Sequence, residues 1–139
     1  MNEERGKMTK YFFILLIFIP LVCFSFNLYY FPATLHIEDD RLVNFSNQFC
    51  IKFNEQIAVL EASSLEEFTE LTKLPYSYYA GALIVSKNDY YIVTLPFDVL
   101  HKKGIFYSTL VHEIMHYYLE SYFDFSEEEQ EDIISQFIN

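Results

Sequence analysis

The sequence predicts an α+β chain: an N-terminal transmembrane helix, then one small domain. In that domain a short mixed or antiparallel sheet precedes a buried helix and a C-terminal glutamate-rich helix. Three observations predict it. Tyr11 to Phe31 carries no charged side chain. Ala82 to Leu95 holds two short runs rich in β-branched and aromatic residues, separated by turn residues. From Pro96 onward apolar residues cover nearly every face of a helix that contains His112-Glu113-Ile114-Met115-His116.

Tyr11 to Phe31 is long enough to cross a ~30 Å hydrocarbon core as a helix, and aromatics crowd both its ends as at membrane interfaces. Arg5, Lys7 and Lys10 precede it; Glu38, Asp39 and Asp40 follow. The positive-inside rule therefore places residues 1–10 in the cytoplasm, 11–31 across the membrane and the 33–139 domain on the extracytoplasmic side. A cleaved signal peptide would have a shorter apolar core and small residues before the cut, and Val22 before Cys23 argues against a lipid-modified cysteine. Of 20 acidic and nine basic side chains, only Glu3, Glu4 and the three basic residues above precede the run. A domain this acidic repels phosphate backbones, so nucleic acid is excluded as a partner. Cys23 and Cys50 are predicted not to pair.

Beyond the span, Arg41 to Gln56 predicts a short helix and then a strand near Phe49 to Phe53. Ile57 to Leu60 reads as a further strand. Ser64 with Glu67 is a capping box that opens a helix through Leu74, stopped by Pro75. Ala82–Val85 and Tyr90–Leu95 form a hairpin about the Ser86–Asp89 turn. Tyr90–Leu95 is either an edge strand able to pair with an extended peptide or a core strand.

The helix after Gly104 carries the chemistry. His112 and His116 are four apart, so both imidazoles project from one face and can grip one metal ion. Glu113 can then polarise a metal-bound water. A catalytic zinc takes three protein ligands, so a third is sought downstream. Ser126 with Glu129 is a capping box opening a second helix. Its first turn is acidic, as the helix dipole favours. Glu128 and Asp132 are four apart. Glu128 is the expected third ligand, with Asp132 accepting a hydrogen bond from a ligand histidine. Glu131 is the alternative ligand, with Glu127 behind it.

H-E-x-x-H followed by E-x-x-x-D on the next helix resembles the gluzincin clan of zinc metallopeptidases. The stretch from Tyr79-Ala80-Gly81 through Tyr91–Pro96 to Thr109–Glu113 is similar to small minigluzincin and peptidase-MA-like domains. The acidic-then-apolar end also resembles phage-repressor-cleaving metallopeptidases. The likeness covers residues 79 to 138. It implies a zincin-like domain in which His112, His116 and Glu128 bind one catalytic Zn2+, Glu113 is the general base and Asp132 supports a histidine. The chain departs from larger members in having no room for a C-terminal subdomain, which there supplies a transition-state donor. Tyr107, Tyr117, Tyr118 and Tyr122 are candidates for that role.

The expected function is a membrane-anchored zinc metallopeptidase acting on a peptide or protein substrate. The alternative is a non-catalytic membrane-anchored interaction or regulatory domain of the same fold. A protease working within the membrane is disfavoured, because Lys102, Lys103 and Glu120 bracket too short an apolar stretch.

Overall fold

A computed structural model describes residues 25–138. They form a small α+β domain built on a four-stranded mixed sheet. The strands are β1 (Asn27–Phe31), β2 (Ile57–Glu61), β3 (Gly81–Ser86) and β4 (Asp89–Thr94). The helices are α1 (Asp40–Phe49), α2 (Leu65–Thr72), α3 (Phe97–Lys102), α4 (Phe106–Tyr122) and α5 (Glu127–Ser135). The sheet order is β1-β2-β4-β3. β1 and β2 are antiparallel, β2 and β4 parallel, β3 and β4 antiparallel.

The predicted transmembrane helix is corrected here. Its last residues form β1, paired with β2 from Asn27↔Glu61 to Phe31↔Ile57. Aromatic residues suit a pleated sheet as well as a membrane interface, and composition alone did not separate the two. Phe31 is buried in the core, and Tyr29 stacks on Phe97 at 5.0 Å. No helix among the described residues is long and apolar enough to cross a membrane. Residues 1–10, and residues 11–24 of the expected span, lie outside the described residues. The sheet therefore begins before residue 33.

α1 is capped by Asp39, whose carboxylate accepts from the Arg41 amide, and it ends at Cys50 in the left-handed region (φ 54°). The strand expected at Phe49–Phe53 is absent. Phe49 closes α1, and the chain after it lays Ile51 and Phe53 into the core without pairing. α2 starts at the Ser64 cap, as its spacing predicts, but stops at Thr72 with Lys73 left-handed. Glu67 is buried, and its carboxylate accepts from the Ser25 amide and from the Ser63 amide and hydroxyl.

Tyr90–Leu95 is not the edge. β4 pairs on both sides, and consecutive Ile92, Val93 and Thr94 are all buried, as an interior strand requires. β3 is the edge at that end of the sheet. α4 packs against β3 and β4 and against α1, α3 and α5. Its Leu110, Val111, Ile114, Met115 and Leu119 are fully buried, which is why the segment reads apolar all round. Gly104 (φ 70°) separates α3 from α4. α5 carries the full capping box: Ser126 accepts from the Glu129 amide and Glu129 from the Ser126 amide.

Candidate metal centre

α4 holds His112 and His116 one turn apart, with their Nε2 atoms 3.1 Å from each other. α5 brings Glu131 to the same point. Its Oε1 lies 2.7 Å from His116 Nε2 and 3.4 Å from His112 Nε2. The three atoms form a group that could hold a metal ion. A tetrahedral site with bonds of ~2.0–2.1 Å spaces its ligand atoms by roughly 3.3 Å, and this triangle is close to that.

Proton positions sharpen the fit. Gln130 is buried, and its amide nitrogen donates to Glu120 Oε2 (2.6 Å) and to the Phe125 carbonyl (3.1 Å). Both are acceptors, so the amide orientation is determined and Gln130 Oε1 must face His116 Nδ1 at 2.9 Å. His116 therefore donates from Nδ1, and its neutral form presents a lone pair at Nε2. That lone pair faces a carboxylate oxygen and a second imidazole nitrogen. Burial, with the neighbouring His116, holds His112 below the usual histidine range despite the opposing Glu131 charge, which favours the neutral ligand form. The three atoms lie close enough together to share a cation, and His116 already has its other nitrogen locked as a donor, as metal-binding histidines do.

Glu113 sits beside the group, 8% exposed, beneath β3. Burial pushes its carboxyl up to about 7; His116 opposes the rise, the Glu131 charge adds to it, and the Leu83 backbone amide opposes it by hydrogen bonding. Gly81 permits this approach. A Cβ there would stand 3.0 Å from the Thr109 methyl and 3.2 Å from Glu113 Cγ. The histidines, Glu113 and Glu131 line a cleft of about 360 Å³ walled by β3 and α5.

His112, Glu113, His116 and the alternative ligand Glu131 thus come together. Glu128 and Asp132 do not: both are exposed, and neither lines the cleft. α5 turns Gln130 and Ile134 inward. Glu127 and Glu131 lie on the shoulder of that face, whereas Glu128 and Asp132 point away from it. The partner of His116 is Gln130, not Asp132. Sequence reasoning passed over Gln130 because a carboxylate was sought there. Of the candidate tyrosines, Tyr117 and Tyr122 donate to Glu55. Tyr118 is buried in the core, and Tyr107 lines a different cavity.

No protein-family model, curated protein or solved structure matches this chain.

Proposed function

We propose that this chain is a zinc-dependent hydrolase of the gluzincin type that cleaves peptide bonds, with His112, His116 and Glu131 as metal ligands. One observation carries the reading: His112 Nε2, His116 Nε2 and Glu131 Oε1 converge beside the buried carboxyl of Glu113 in an open cleft. A zinc ion held by these residues supplies Lewis acidity, polarising the scissile carbonyl and acidifying a water.

Glu113 is the general base. A carboxyl held near neutrality both accepts the water's proton and returns it to the leaving amine. Gln130 fixes the orientation of His116. The outer side of β3 offers backbone groups to an extended substrate, which would add a strand beside the site.

The test uses the full chain. Zinc is expected at one ion per chain, and at none in His116→Ala. Glu113→Gln is expected to keep the zinc and lose hydrolysis of a peptide library. Equal zinc in wild type and His116→Ala refutes the metal site. Zinc binding without turnover of any peptide favours instead a non-catalytic, metal-bearing interaction domain.

A further inference from the structure

We infer that the cleft selects a substrate with a lysine or arginine side chain near the scissile bond, held by Glu120 and Glu127. This rests on the metallohydrolase reading above and names its substrate class. Only residues 123–126 join α4 to α5, so the end of one helix lies beside the start of the other. His112, His116 and Glu120 recur every four residues on α4, and Glu127 and Glu131 are four apart on α5. Each set projects from one face of its helix. The histidines and Glu131 form one rung of side chains across the two helices. Glu120 and Glu127 form a second rung, one turn or ~5.4 Å nearer the connection.

Hydrogen bonds fix the position of Glu120. Its Oε2 accepts from Gln130 Nε2 at 2.6 Å, and the oxygen of the same amide accepts from His116 Nδ1 at 2.9 Å. A single amide group therefore separates the Glu120 carboxylate from a ligand imidazole. Glu120 and Glu127 both line the metal cleft with Glu113 and Glu131, and no lysine or arginine lines it among the described residues. Neither Glu120 nor Glu127 forms an ion pair among those residues. The charge of a divalent cation is offset by Glu113 and Glu131, which leaves the second rung uncompensated. The metal group and Glu113 point independently to a peptide in this cleft. A further observation sets the shape of the side chain that reaches the rung. β3 supplies an apolar wall, Leu83 and Val85, to which Leu74 adds. A long aliphatic stem that ends in a charge matches both surfaces: its methylenes lie on the apolar wall while the ammonium or guanidinium meets the carboxylates. An acidic side chain in the same place is repelled, so the rung discriminates as well as binds.

The experiment uses zinc-loaded full-length protein and peptides identical except for lysine, norleucine or glutamate at one position, scanned across the scissile bond. It measures kcat/KM at low and high salt, and calorimetric affinity in Glu113→Gln, which binds without turnover. At one position lysine is expected to exceed norleucine about 10-fold and glutamate by more, and high salt should shrink the preference. Glu120→Gln and Glu127→Gln should each reduce it, and Glu127→Lys should turn it toward glutamate. Glu128→Gln, at a residue that faces away from the cleft, should match wild type. The affinities should follow the same order. Hydrolysis with no lysine preference at any position, or a preference that survives both Glu127 variants, would overturn the role of the rung and leave the metallohydrolase reading intact. A second zinc ion per chain that Glu127→Gln abolishes would make the rung a metal site and also overturn it. A zinc-loaded wild type that hydrolyses no peptide sinks both.

Discussion

Replacing Gln130 by methionine keeps the side chain's length and removes its amide. Gln130 is 3% exposed, and three short contacts depend on it: to His116 Nδ1, Glu120 Oε2 and the Phe125 carbonyl. Glu120 is exposed and recovers water, whereas His116 is buried and its Nδ1–H is left unpaired. Two effects follow. The orphaned donor costs about 1–3 kcal/mol of fold stability. The ring loses the contact that fixes its tautomer, so zinc affinity falls about 10–100-fold, or roughly 1.4–2.7 kcal/mol. The assay is competition for zinc against a chromophoric chelator at fixed pH, with Glu131→Ala and Glu128→Ala alongside. The expected order of affinity is wild type and Glu128→Ala together, then Gln130→Met, then Glu131→Ala. Wild-type zinc affinity in Gln130→Met would refute the argument from the amide network. Glu128→Ala binding more weakly than Glu131→Ala would refute the ligand set.

Gly81→Ala puts a methyl 3.0 Å from the Thr109 methyl and 3.2 Å from Glu113 Cγ, so these side chains must shift by a few tenths of an ångström. We expect about 1–3 kcal/mol of lost stability by chemical denaturation, with hydrolysis falling further than zinc binding. Tyr118→Phe removes a buried hydroxyl that has no hydrogen-bond partner among the described residues, so its midpoint of unfolding should stay or rise, by up to ~1–3 kcal/mol. Asp39 is held below the usual carboxylate range, first by its hydrogen bond to the Arg41 side chain. Its folded pKa is depressed, so the contribution is present above its unfolded value of ~3.9 and is lost as pH falls through the folded one. Asp39→Asn keeps the cap but not the charge and should be less stable by about 0.5 kcal/mol near neutral pH. That difference should begin to shrink in pH titrations of stability below ~4 and vanish below the depressed folded value.

The chemistry on α4 was legible because it rests on spacing within one helix. His112 and His116 four apart must share a face, and a helix apolar all round must be buried. The third ligand required knowing how α5 rotates against α4. The sequence held more of that information than the acidic run suggests. Read from the sequence at ~100° per residue, Ile133, Ile134, Phe137 and Ile138 define an apolar direction. Gln130 lies almost on it, Glu127 and Glu131 lie on one shoulder within about 90°, and Glu128 and Asp132 lie roughly opposite. The four-residue spacing was sound, but it was applied one residue too late: the pair that lines the cleft is Glu127 and Glu131. β1 was illegible for another reason. Asn27–Phe31 continues an uncharged run without a break, and only its pairing with β2 distinguishes a strand from the end of a membrane helix. The edge strand was left open because hairpin chemistry predicts that β3 and β4 pair but does not say which of them meets β2.

The two halves of the centre differ in how firmly they are held. α4 runs 17 residues through the middle of the domain, and His116 and Glu113 sit on its buried side. α5 has nine residues, too few to be stable alone, and buries only Gln130 and Ile134. Its position therefore depends on the contacts that cross to α4, and the polar ones are Gln130 with Glu120 and His116, and Glu131 with the two histidines. Glu131 meets both histidines without a metal, and a cation shared by the three would tighten that contact. Metal binding and the docking of α5 would then be coupled, because a ligand that binds only the docked form stabilises it by mass action. The capping box at Ser126 and Glu129 acts on the same equilibrium from the other side, by making the helix cheaper to form before any metal arrives.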